Sequence, residues 1–144
     1  MNGPIVTTSA PPEGARIIPQ DVRQIGLWDK GALRSPEPPG SRSPKGHLAR
    51  RAVNAVDQGN GRLHDLYKVA PGALVYVADP AGAITRWRVV GLDVVVKAAL
   101  PKWVFAGPEV PRMLALVTCG GPIEQIPGVG NTYRDNVIVT AVPV

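Results

Sequence analysis

The chain is poor in the residues that most enzymes and metal sites are built from. It has one cysteine, two histidines and seven aromatic residues among 144. A single cysteine excludes an intrachain disulfide. It also excludes a cysteine-built zinc site, which needs several such ligands. His47 and His64 cannot close a metal site by themselves, so no metal or cofactor is called for. No run of roughly 18 apolar residues is present, and no secretory signal follows Met1. The chain is therefore expected to carry neither signal nor anchor of its own. The few aromatics sit in apolar segments, which offers little to stack bases on, so nucleic acid is not expected as a partner. Helical periodicity is scarce. Only residues 62–68 and 102–105 read as a helical turn or two.

What is plentiful is short apolar runs and the residues that break them. Glycine and proline number 16 each, and the prolines crowd between residues 4 and 44. Residues 35–44 cannot form a central strand, because their prolines lack amide donors. The net charge is +5, but only Arg42, Lys45, Arg50 and Arg51 cluster, and such a modest basic loop reads as solvated surface. Residues 73–78 form one apolar run. Residues 84–90 alternate, with Ile84, Arg86 and Arg88 on one face and Thr85, Trp87 and Val89 on the other, the pattern of a half-buried strand. The turn chemistry between these runs predicts a hairpin. Residues 92–96, 112–118 and 136–142 read as further strands. Many short strands with turn signals between them predict an all-β sandwich or barrel.

Cys119 ends an apolar run, Leu114 to Thr118, just before Gly120 and Gly121. An ordinary thiol is only a few per cent ionised near neutral pH. A nucleophilic cysteine needs a neighbour that takes its proton or favours the thiolate, and histidine is the usual one. Attack on an amide also builds an oxyanion that needs fixed donors. The two glycines permit close backbone approach. Arg134 follows fifteen residues later, at the front of the next strand. If the two strands are neighbours, its rigid fork of donors can lean over the thiol.

Two stretches carry a resemblance. Leu116-Val117-Thr118-Cys119-Gly120-Gly121-Pro122 and Tyr133-Arg134-Asp135-Asn136-Val137-Ile138-Val139-Thr140-Ala141 are similar to the C-terminal signature of sortases, most of all the class E and class F enzymes of high-GC Gram-positive bacteria. Gln58 to Leu63 with Pro71 to Val75 resembles the family's glycine-rich turn and following strand. Lys97 to Pro101 and Phe105 fit the segment before the cysteine strand, and Ile25 to Ala32 is similar to a Gly-Trp segment upstream. The resemblance implies a sortase-like eight-stranded β-barrel with short helical turns. It implies a cysteine transpeptidase that cuts a Leu-Pro-x-Thr-Gly-type sorting signal through a thioacyl intermediate and passes it to a cell-wall or pilin amine. It places such a protein at the extracytoplasmic face of the membrane. On it Cys119 is the nucleophile and Arg134 stabilises the oxyanion or positions substrate, with Thr118, Gly120 and Tyr133 beside them in the binding site.

The family's histidine ends an apolar strand within a Gly-His-Val-Asp or Gly-His-Val-Asn pattern. Gly46-His47 matches the dipeptide, which makes His47 the candidate catalytic base beside Cys119 and Arg134, but Arg42 to Lys45 before it is not an apolar strand, and Ala49 stands where Asp or Asn is expected. A second register lays Ala52-Val53-Asn54 over the end of the motif and puts Arg51 or Ala52 in the histidine slot. His64, past the glycine turn, reads as a surface histidine. Before Pro4-Ile5-Val6 the family's opening strand is not legible, so a barrel lacking its first strand is expected. Residues 1–45 are expected to hold an N-terminal strand fragment and the proline-rich loop, and 46–144 the main part of a single barrel domain. Two functions follow from the resemblance: an active transpeptidase, or a catalytically inactive barrel that binds peptide or wall component without turnover.

Overall fold

The computed structural model describes residues 2–8, 23–28, 49–53, 62–78, 81–105, 113–128 and 130–144. They form an all-β fold with three short 3-10 segments. The strands are β1 (Ile5–Thr8), β2 (Ile25–Trp28), β3 (Ala49–Val53), β4 (Leu74–Ala78), β5 (Ile84–Val96), β6 (Met113–Ile126) and β7 (Gly130–Pro143). They make one sheet in the order β1-β2-β3-β6-β7-β5-β4. The pairs β1/β2 and β3/β6 are parallel and the rest antiparallel. Of the eight strands the resemblance implies, seven lie among the described residues. The proline-rich stretch 35–44 lies outside them, as do His47 and the glycine turn at residues 58–61.

The alternation in β5 is reproduced. Trp87 and Val89 are buried while Ile84, Arg86 and Arg88 face solvent. A buried indole needs a partner for its N–H. Trp87 Nε1 donates to Thr85 Oγ1 at 3.0 Å, and that hydroxyl donates to the Val77 carbonyl at 3.1 Å. The bond ties β5 to β4, which pairs with it from Leu74↔Arg88 to Ala78↔Ile84, the expected hairpin. The runs 84–90 and 92–96, read separately in the sequence, are one strand. Gly91 does not break it, because a β-bulge takes up Val90 between the pairs Val89↔Ala141 and Gly91↔Thr140.

Both faces of the sheet bury apolar side chains. On one face Leu114, Val137, Val139 and Ala141 join Trp87 and Val89. Leu63 and Leu66, at the 3-10 segment His64–Lys68, close over this cluster. On the other face Val117 and Ile138 meet Val104 from the 3-10 segment Lys102–Phe105, flanked by Val95, Leu100 and Trp103. Strand alternation sends neighbouring residues of β6 and β7 to opposite faces, so Met113 to Val117 and Val137 to Val142 are apolar at nearly every position. Burying a side chain such as Leu66 or Ile138 contributes about 1.5–3 kcal/mol.

β6 and β7 are each 14 residues long, about twice the length the sequence predicts. The extension runs through Gly120, Gly121 and Pro122, residues that ordinarily punctuate strands.

Candidate active site

Cys119 lies in β6 opposite Asn136 of β7. By alternation it shares a face with Val117, and Asn136 shares that face with Ile138 and Arg134. The Cys119 thiol therefore sits on the Val104–Val117–Ile138 side of the sheet, one step past its buried core. It is half-buried, at the point where β6 passes from buried to exposed.

The next pair is Gly120↔Asp135, and the ladder resumes at Ile123↔Tyr133. Between them β6 spends two residues, Gly121 and Pro122, against one on β7, Arg134. This is a β-bulge, and such bulges re-aim a side chain at the point where they occur. Gly121 has φ +78°, a conformation that side chains disfavour. Pro122 has no N–H to offer the ladder, so a bulge is where it fits. Arg134 thus stands across the bulge, diagonal to Cys119. Diagonal cross-strand neighbours are roughly 7–8 Å apart, within reach of a long side chain.

The guanidinium of Arg134 is gripped by the next residue. Nε donates to Asp135 Oδ1 at 2.8 Å and Nη2 to Oδ2 at 3.0 Å. The two side chains differ sharply in exposure, 48% for Arg134 and 6% for Asp135. The hydrogen bonds from Arg134 hold the Asp135 carboxyl below its usual range, against the opposing effect of burial. In return the Asp135 hydrogen bond, its charge and, more weakly, Glu124 raise the arginine's pKa and keep it cationic. The pairing engages two of the five guanidinium donors and leaves the Nη1 edge clear of Asp135.

The other residues singled out in the sequence fall as follows. Thr118 is buried, pairs with Val137, and lies on the face opposite the thiol. Gly120 is packed so closely that a Cβ there would come within 2.8 Å of Val137 Cγ2. Tyr133 is half-buried beside the bulge. His64 is exposed on the first 3-10 segment, its ring edge-on to Tyr67. The structure thus brings Cys119, Arg134, Gly120 and Tyr133 to one stretch of hairpin. His47 is outside the described residues. β3 runs parallel to β6, from Ala49↔Met113 to Ala52↔Leu116. It therefore approaches the thiol with its C-terminal end, at Ala52 and Val53.

Two residues that the sequence reading passed over belong to this stretch. Asn136 is buried and paired with Cys119, and Asp135 holds Arg134. Asp135 lies within the Tyr133–Asn136 stretch, but an acid next to an arginine in a strand points to the other face by alternation, so periodicity does not predict the pairing. Among the described residues no group of three or more His, Cys, Asp or Glu is placed to hold a metal. None of their helices is long and apolar enough to cross a membrane.

A family model described as the sortase domain matches residues 7–144. Among solved structures, a Clostridium perfringens sortase D5 transpeptidase superposes with a TM-score of 0.62 at 13% identity, over 97% of this chain and 69% of that one. Sortase A from Corynebacterium diphtheriae gives 0.56 at 16% identity, over 83% and 47%. Sortase C from Clostridium perfringens SM101 gives 0.59 at 12% identity, over 99% and 62%. The chain spans about half the length of the diphtherial enzyme. Comparison with curated proteins gives no match.

Proposed function

This chain belongs to the sortase family, and from that premise we propose that it is a cysteine transpeptidase with Cys119 as nucleophile. The observation that supports the reading is the register of the β6–β7 hairpin, which sets the half-buried Cys119 diagonally across from Arg134, a residue whose guanidinium Asp135 holds by two hydrogen bonds. The thiolate attacks the carbonyl carbon of a Thr–Gly bond in a Leu-Pro-x-Thr-Gly-type signal. The carbonyl oxygen becomes an oxyanion, toward which Arg134 presents donors that do not lose their proton. The C–N bond breaks and the departing glycine amine takes the proton that the thiol gave to its acid–base partner, the role this reading assigns to His47. A cell-wall or pilin amine then attacks the thioester, gives its proton to the same acid–base group, forms the new amide and releases the Cys119 thiolate. Class E or F character, as the sequence motif suggests, and action at the extracytoplasmic face belong to the same proposal.

The test is incubation with a sorting-signal peptide, followed by intact mass. A thioacyl adduct on the parent protein, absent from Cys119→Ala, supports the reading. Cleavage of the peptide by Cys119→Ala at the parent's rate removes it.

The direction of β3 favours a second reading. His47 precedes the start of β3, the end that pairs with Met113. The end nearer the thiol carries Ala52 and Val53. On this reading the general acid–base group is missing, and the barrel binds sorting peptide or wall component without turnover. Saturable peptide binding by calorimetry, with no adduct over hours and no change in His47→Ala, would distinguish it from the first.

A further inference from the structure

The bulge opposite Arg134 is tightly fitted to one side chain. A Cβ built on Gly121 would lie 2.3 Å from Asp135 Oδ2, 2.8 Å from its Cγ and 3.0 Å from its Cβ. Real Cβ atoms do not tolerate such contacts, so the Asp135 carboxylate occupies the volume that any other residue at 121 would fill. The same carboxylate makes both hydrogen bonds to Arg134. Gly120 contributes to the fit, because a Cβ there would strike Val137. The two glycines have a second use besides backbone access to substrate: they leave room on β6 for groups of β7.

We infer that Asp135 is a positioning residue for Arg134, and that Gly121 is the residue that makes room for it. Arg134 is exposed, and a long side chain left to solvent samples many rotamers. Clamped through Nε and Nη2, its fork is pre-set, and the two Nη1 hydrogens and the second Nη2 hydrogen face away from Asp135. Bidentate pairing fixes orientation as well as distance. A substituent at 121 expels the carboxylate from its slot and so frees a guanidinium that it never touches. The role in acyl transfer rests on the transpeptidase reading above; the clamp itself does not.

The test reads the two separately. In nitrogen-15-labelled protein, the Arg134 Nε–Hε signal is assigned by its loss in Arg134→Lys. In the parent it is expected to exchange slowly with water. Asp135→Asn and Gly121→Ala should each speed that exchange on the order of tenfold or more, because the charge-assisted acceptor is lost or displaced. Single-turnover acylation of Cys119 by a sorting peptide should fall on the order of 10- to 100-fold in both variants, while alkylation of the thiol by iodoacetamide stays unchanged. Asp135→Glu should recover part of the loss. Adding Gly121→Ala to Asp135→Ala should speed the exchange no further, since the carboxylate is already gone, although the positive φ at 121 makes that substitution cost stability by itself. Slow exchange retained in Asp135→Asn overturns the clamp, and retained in Gly121→Ala overturns the slot. Asn is nearly isosteric with Asp, so the clamp remains testable even if Gly121→Ala does not fold. A parent that forms no adduct removes the transpeptidase reading, and the exchange rates still decide the clamp.

Discussion

The two halves of the β6–β7 hairpin are continuous in backbone and opposite in environment. From Leu114 to Thr118, and from Val137 to Ala141 across from them, nearly every side chain is buried. From Gly121 to Ile126 every residue of β6 is exposed, and Gly130, Asn131 and Arg134 opposite are too. The change occurs over two residues, at the Gly121–Pro122 bulge. The first half is a sheet packed on both faces, where identity is dictated by volume. The second is a ribbon in water, where the backbone pairs but little packs. Cys119 and Arg134 lie on either side of the boundary. A thiol there keeps the core's support for its position and is half-buried.

Cutting at the thiol gives the largest expected effect. Cys119→Ala should abolish adduct formation and leave the circular dichroism spectrum and unfolding midpoint close to the parent's. A midpoint drop of many degrees would mean that Cys119 belongs to the packed half. Next comes the packed half itself. Ile138→Ala should cost about 2–5 kcal/mol in denaturant unfolding, because its neighbours Val104 and Val117 cannot close the cavity. The same truncation in the ribbon, Ile123→Ala, should change stability by less than about 0.5 kcal/mol. Equal costs at the two sites would erase the distinction between the halves.

Arg134→Lys should lower single-turnover acylation on the order of tenfold or more, since a point charge does not reproduce the fork. Full activity in that variant would withdraw Arg134 from the chemistry. The smallest effect concerns acid. Asp135 is held below its usual range in the fold, so what its ionised form contributes is complete above its unfolded value, about 3.9. That contribution is lost as pH falls through the lower folded value. Acid titration of stability should therefore show a step in the parent that Asp135→Asn lacks. Parallel curves would mean that the carboxylate gains nothing from the guanidinium.

Much of this was legible in the chain, and unevenly so. Trp87, Val89 and the hairpin around them follow from alternation, because a strand with one buried face writes that face into every second residue. Cys119 and Arg134 were legible as a motif. The length of β6 and β7 was not, because Gly120-Gly121-Pro122 read as a stop where a bulge carries the ladder past it. Nor was the grip of Asp135 on Arg134, since strand periodicity assigns the two to opposite faces.

By itself, then, the sequence determined the strand-rich class, the buried side of β5 and the motif that contains Cys119 and Arg134. These depend on local period and residue type, which are written in order along the chain. Only the tertiary structure decided that Asn136 faces Cys119, that β3 approaches the thiol with Val53 rather than with the residues before it, and that Gly121 makes room for the carboxylate that holds Arg134. Those depend on register between strands far apart in sequence, and a register is a property of the pair rather than of either strand.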